Sequence, residues 1–239
     1  MILLALATLW WSTGVLPTFR SAASARVVVD RIVDDQRFKR GALSTILAQI
    51  KSGRRPIVAN SSLARAQALV GLGFAEEEMR YDGSSQGDRE AAAAEESVIT
   101  SLELNPTDSF LWLLLYSVRI TRSGFDKDQL RFIDQSYATG PLEGWIALRR
   151  NRLALSAFAM LNDTSQNNVL NEFANLVDSD MTEAAGLILI GTGWPNRDRL
   201  LGALKQVDGA SKKSLQRWLF VNSVGLAVPG LEHDERPWR

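Results

Sequence analysis

A chain of 239 residues, 46% of them hydrophobic, is long enough to bury a core, and one domain of about 100–200 residues behind a short leader is the natural expectation. Lysine plus arginine and aspartate plus glutamate number 27 each, so the net charge is zero and the basic excess of a general nucleic-acid binder is missing; nucleic acid is not an expected partner. The absence of cysteine and the single histidine, His233, exclude disulfides, thiol chemistry, histidine triads and multi-histidine metal sites, and no metal or other cofactor is expected.

Residues 2–19 (ILLALATLWWSTGVLPTF) carry no charged side chain. As a helix they rise roughly 27 Å, just short of a hydrocarbon core about 30 Å thick. Ala23-Ser24-Ala25 is a small-x-small site where a signal peptidase cuts, yet no basic residue precedes the apolar run. Three readings stand: a cleaved signal peptide, an uncleaved anchor that makes the membrane a partner through residues 2–19, and a buried first helix. Arg20, Arg26 and Arg31 flank the C-terminal side, and the positive-inside rule draws that side toward the cytoplasm. The expected organisation is a signal peptide or membrane anchor over 1–25, a helical repeat-like domain over 26–230 and a charged tail over 231–239.

Arg26 to Val33 (RVVVDRIV) is β-branched and reads as a short strand or an extended lead-in. Helical period then takes over. Leu43, Ile46, Leu47 and Ile50 follow the i, i+3, i+4, i+7 pattern, and Lys51 to Pro56 ends that helix. A second helix is predicted from Ser61 or Ser62 to about Met79, then a polar loop from Tyr81 to Asp88. A third runs from Asp88 to Leu104. Asn105-Pro106-Thr107-Asp108 breaks it and caps the next, which is apolar nearly all round from Phe110 to Ile120 and so belongs in the core. Asp126 with Gln129 resembles a capping box before Leu130, Ile133 and Tyr137. Gly140-Pro141 closes that helix and Glu143 to Leu161 forms another. Val169, Phe173 and Leu176 mark a further helix, then Met181, Ala184, Ala185 and Ile188, then Leu200, Leu201, Leu204 and Val207, and finally Leu215, Trp218 and Leu219. Hairpin-type alternation does not recur, so the fold class is all-α.

Two junctions look alike: a helix, Pro106, then Trp112; and a helix, Pro141, then Trp145. They lie about 33–35 residues apart, the period of a tetratricopeptide unit. The stretch Ala94 to Leu115 (AEESVITSLELNPTDSFLWLLL) resembles a tetratricopeptide junction, with Ala94 as the small residue at the close approach, Pro106 at the turn, and Trp112 and Leu115 opening the next unit. Tyr116, Arg119 and Ser101 depart from that pattern, and about one and a half units match, over roughly residues 88 to 160. The resemblance implies antiparallel helix pairs stacked as a short superhelix that binds a protein partner. Ser136 to Leu155 (SYATGPLEGWIALRRNRLAL) is similar to helical proteins of alphaproteobacterial exopolysaccharide gene clusters. That resemblance implies a setting in the bacterial envelope, periplasmic or anchored in the inner membrane, and no chemistry.

Few residues stand out as a site, and no catalytic residue is assigned. Arg149 and Arg152 share a helix face with Arg150 beside them, a candidate cationic patch for an acidic glycan, a lipid headgroup or a partner's carboxylates, or an ordinary solvated face. Trp112 and Trp145 either line a groove or wedge helix pairs apart. Gly191-Thr192-Gly193-Trp194-Pro195 has the glycines of an anion loop without its lysine, and reads better as a turn. Glu76-Glu77-Glu78 and Asp34-Asp35 are adjacent carboxylates that point apart. The expected function is a non-catalytic scaffold that holds an envelope or polysaccharide-export subunit. The alternative is a polysaccharide-acting helical enzyme, a glycosidase or lyase, with two distant carboxylates facing each other across a cleft.

Overall fold

The computed structural model describes residues 31, 38–39, 41–52, 60–81, 85–141 and 143–231. The apolar segment 2–19, the cleavage-like site, all of 26–33 except Arg31, Asp34-Asp35 and the tail beyond Leu231 lie outside them. Among the described residues there are ten α-helices and no strand, so the fold is all-α. No helix among them is long and apolar enough to cross a membrane. They fall into two compact units that meet in sequence at Phe125 and Asp126, within the span read as one domain.

The first unit holds α1 (Ala42–Ser52), α2 (Ser61–Tyr81), α3 (Ser85–Leu104) and α4 (Ser109–Ser123). Leu43 and Leu47 of α1 meet Val70 of α2, with Phe38, Ile46, Ile50 and Phe74 packed around them. Glu77 accepts a hydrogen bond from the Gly41 N–H at 3.1 Å, which ties the start of α1 to the far end of α2. α2 and α3 form an antiparallel hairpin. Residue 71 faces Ala94 and residue 87 faces Met79, so contacts climb one helix as they descend the other. A Cβ added at Gly71 would sit 3.7 Å from that of Ala94, and Ala94 is buried.

The Asn105–Asp108 junction behaves as read. Asp108 caps α4 by accepting from the Leu111 N–H at 3.1 Å, and its second oxygen takes Arg65 Nε at 2.7 Å. Glu95 of α3 pairs with both Arg119 and Arg122 of α4. Phe110, Leu111, Leu113, Leu114, Leu115 and Tyr116 are all buried, as a helix apolar nearly all round demands. Tyr116 is fully buried on this helix. Its hydroxyl has no hydrogen-bond partner, and burial raises its pKa above the ordinary phenol value.

The second unit holds α5 (Leu130–Thr139), α6 (Gly144–Ser156), α7 (Asp163–Asp178), α8 (Thr182–Ile190), α9 (Arg197–Ala203) and α10 (Gly209–Val221). Short 3-10 turns at Lys127–Gln129, Phe158–Met160, Trp194–Asn196 and Leu204–Gln206 join them. α7 is the hub, packed against α5, α6, α8, α9 and α10. Its start is fixed by Asn162, which accepts from the Ser165 N–H at 2.9 Å, and its inner face carries Val169, Phe173, Leu176 and Val177.

Alternate helices from α2 onward begin at Ser61, Ser109, Gly144 and Thr182. The helices range from 21 residues in α2 to 7 in α9, so they do not share one length. A solenoid repeats a unit of constant size. The 35-residue step from 109 to 144 is the one that matches the tetratricopeptide period.

Candidate functional site

α5 gives the second unit two different faces. Phe132, Ile133, Ser136 and Tyr137 point inward, while Arg131 and Asp134 border an open groove of about 460 Å³. Lys127, Asp128 and Leu130 continue the groove wall at the start of α5, and Met160 and Asn162 supply the opposite wall from the connection between α6 and α7. Asp126 positions this start by accepting from the Asp128 N–H at 3.0 Å, while the Gln129 N–H donates to the Asp126 backbone carbonyl, so the pair caps a 3-10 turn instead of forming the expected capping box. The Gln129 side-chain oxygen is buried and accepts no hydrogen bond.

Asp134 anchors the two walls to each other. One oxygen accepts from the Ser165 hydroxyl and the other from the Asn162 side-chain amide at 3.1 Å. Asn162 and Ser165 are the residues that cap α7, so the carboxylate also lies where the helix dipole favours negative charge. Lys127, Asp128 and Arg131 form no ion pair with any described residue. Lys127 in the 3-10 turn and Arg131 in the first turn of α5 place two exposed positive charges on the groove wall. The groove thus has a fixed floor and charged walls open to a ligand.

Behind α5 lies a buried ionic cluster. Arg150 of α6 has no exposed surface, and Glu172 of α7 is 5% exposed. The guanidinium donates to Glu172 from Nε at 2.9 Å and Nη2 at 2.6 Å, and to the Ser136 carbonyl from Nη1 at 2.8 Å. Its plane lies 4.2 Å from the centre of the Tyr137 ring, whose hydroxyl donates to Glu172 at 2.8 Å. Asn151 donates to the Val169 carbonyl at 2.9 Å and to Glu172 at 3.4 Å. Burial pushes the Glu172 carboxyl above the ordinary range, against the pull of Arg150 and of the hydrogen bonds from Tyr137 and Asn151. Burial first, and the Glu172 charge second, hold the Tyr137 phenol well above its ordinary value.

These positions redraw the candidate residues. Arg150 does not join a cationic surface patch with Arg149 and Arg152, because helical phase sends it inward with Ile146, Ala147, Asn151 and Ala154. Arg152 is exposed and donates to the Leu148 carbonyl at 3.3 Å, and Arg149 is half-buried. Trp112 locks its own junction, since its indole N–H donates to the Pro106 carbonyl at 2.8 Å. Trp145 is 43% exposed and so does not fill a core gap. Leu115 is buried, whereas Pro106 and Pro141 sit exposed in their turns.

The glycine run 191–193 is a turn between helices. Three amides of this turn donate to nearby backbone: Gly191 to Leu187, Gly193 to Ile188 and Trp194 to Gly191. A Cβ at Gly193 would come within 2.8 Å of the Ile188 carbonyl, which explains that glycine without a ligand. Sequence reasoning missed Asp134, Glu172 and the groove residues. The signal for Glu172 was present, because a charge three residues after Val169 and four before Leu176 lies on the apolar stripe of its own helix. In comparisons with known proteins, the chain matches no family model, no curated protein and no solved structure.

Proposed function

We propose that this protein is a non-catalytic helical scaffold of a bacterial envelope assembly, serving polysaccharide production or export, in which the groove beside α5 holds a segment of a protein partner. The observation that carries the reading is the pairing of a rigid floor with unpaired walls. Asp134, Ser165 and Asn162 tie the two sides together, while Lys127, Asp128 and Arg131, whose guanidinium rests 4.9 Å from the centre of the Phe132 ring, offer both signs of charge without an ion pair among the described residues. Mixed charge suits a polypeptide segment, which carries both signs and backbone polar groups, better than a uniformly acidic glycan. The antiparallel α2–α3 hairpin and its junction to α4 support a tetratricopeptide-like reading of the first unit, with stacking into a superhelix as part of the proposal. Under it the segment at 2–19 delivers the scaffold to the envelope, as an anchor or as a signal peptide.

The polysaccharide-enzyme reading has one feature behind it: Asp128 and Asp134 both line the groove. A general acid or nucleophile must be free to exchange a proton or attack a sugar, and Asp134 instead accepts two hydrogen bonds that hold the groove together. The scaffold is therefore favoured. Affinity capture from the native host with wild-type protein and a Lys127→Glu/Arg131→Glu variant tests it. A partner retained by wild type and lost at least tenfold with the variant is expected. Equal capture by both, or turnover of polysaccharide that Asp134→Asn abolishes while the fold is kept, overturns it.

A further inference from the structure

Exposed apolar side chains of the second unit gather along α8 and the turn that follows it. Every residue of α8 from Ala184 to Ile190 is apolar, a composition that calls for cover all round. Ala185, Gly186, Ile188 and Leu189 are buried within the unit, yet Leu187 is 55% exposed and Ile190 37%. Trp194 stands in the next turn, 43% exposed. α10 lies against α8 at Gly186, which the Trp218 ring covers, and one turn past Trp218 is Val221, 73% exposed. Leu187, Ile190 and Trp194 together leave roughly 300 Å² of apolar surface open, within the range of the largest patch on a typical soluble monomer, which is often functional.

The two ends of this stripe differ in charge. Glu183, exposed, stands at the start of α8, and Arg197 stands at the other end with its guanidinium 4.9 Å from the centre of the Trp194 ring. An apolar stripe with an acidic head and a basic tail is complementary to itself. A two-fold axis perpendicular to it sets a second α8 antiparallel to the first and brings each Glu183 to the other copy's Arg197.

We infer that the Leu187–Ile190–Trp194 face is a two-fold interface between copies of this chain. Two such faces form an apolar centre of about 600 Å², and a rim of Glu183, Arg197 and the polar residues beside them brings the contact to about 1,000 Å², the lower end of specific interfaces. This contact is independent of the groove beside α5.

Light scattering on the size-fractionated full chain over a dilution series tests it, with circular dichroism melts to confirm that each variant folds. The expected result is a dimer whose dissociation constant weakens at least tenfold in Leu187→Asp, a position already in water in the single chain. Glu183→Arg and Arg197→Glu each weaken it as well, and the two changes combined in one chain restore it. A monomer at every concentration up to about 100 µM, beyond which contacts are weaker than roughly 5–6 kcal/mol, overturns the inference. So does association that persists unchanged in Leu187→Asp/Ile190→Asp, because it would then run through another surface such as the apolar segment 2–19. A combined charge swap no better than its singles overturns the two-fold register.

Discussion

At the residue scale, Arg150 and Glu172 set the energetics of the second unit. Placing two charges in a core costs several kcal/mol of hydration per ion, about 20 before relaxation, and their attraction offsets this only with full hydrogen bonding. Here Ser136, Tyr137 and Asn151 supply it. Removing one partner leaves the other stranded, so Arg150→Met is expected to cost about 3–5 kcal/mol in urea denaturation followed by circular dichroism. Arg150→Met with Glu172→Leu should return most of that loss, by the logic of a double-mutant cycle. Equal costs for the single and double variants contradict the pairing. The pH dependence has a definite sign. Glu172 holds its proton more tightly in the folded state than in the unfolded chain, where its pKa is about 4.3. Its contribution is therefore complete below the unfolded value and is lost as pH rises through the folded one. The stability of wild type relative to Glu172→Gln should fall over that window, and a relative stability that climbs with pH refutes the raised carboxyl.

At the scale of elements, close packing of α8 on α10 rests on Gly186. A Cβ there would lie 2.3 Å from the Trp218 ring, too near for a rigid indole to yield without moving its helix. Gly186→Ala is therefore expected to destabilise by about 1–3 kcal/mol, the range for overpacking. Thermal melts should show the loss, and Trp218→Leu in the same chain should recover part of it. A melting temperature unchanged by Gly186→Ala contradicts this packing. The helices themselves were legible in the sequence, because amphipathic period and caps are local. Leu43 to Ile50 gave α1, Asp108 gave the start of α4, and the all-apolar run after it gave a buried helix. The polar loop read from Tyr81 to Asp88 proved shorter, since Ser85 already begins α3 and buries Gly87 against Met79. The groove was not legible, because Asp134 meets Asn162 and Ser165 only through long-range packing. Arg150 was legible in part: among Arg149, Arg150 and Arg152, it alone falls in phase with Ile146 and Ala154.

At the scale of the whole molecule, the division at Phe125 and Asp126 decides what one domain of helices means here. Residues 121–128 are all exposed, Gly124 takes a left-handed φ of 78°, and the connection has none of the apolar anchors that bury the helices on either side. Each unit has its own hydrogen-bonded tie: Asp108 to Arg65 in the first, and Arg150 to Glu172 in the second. Exposed backbone between compact units is where proteases cut first, and Arg122 and Lys127 place two tryptic sites at this connection. Brief trypsin treatment of the full chain should therefore yield two resistant species that meet between Arg122 and Lys127, read by mass spectrometry. The Lys127 site should be cut faster, since Arg122 is still within α4 and paired to Glu95. The Arg150→Met variant should lose resistance in the C-terminal fragment while the N-terminal fragment survives. First cleavage inside α3 or α7, or equal loss of both fragments in that variant, would show that stability is not partitioned at this boundary.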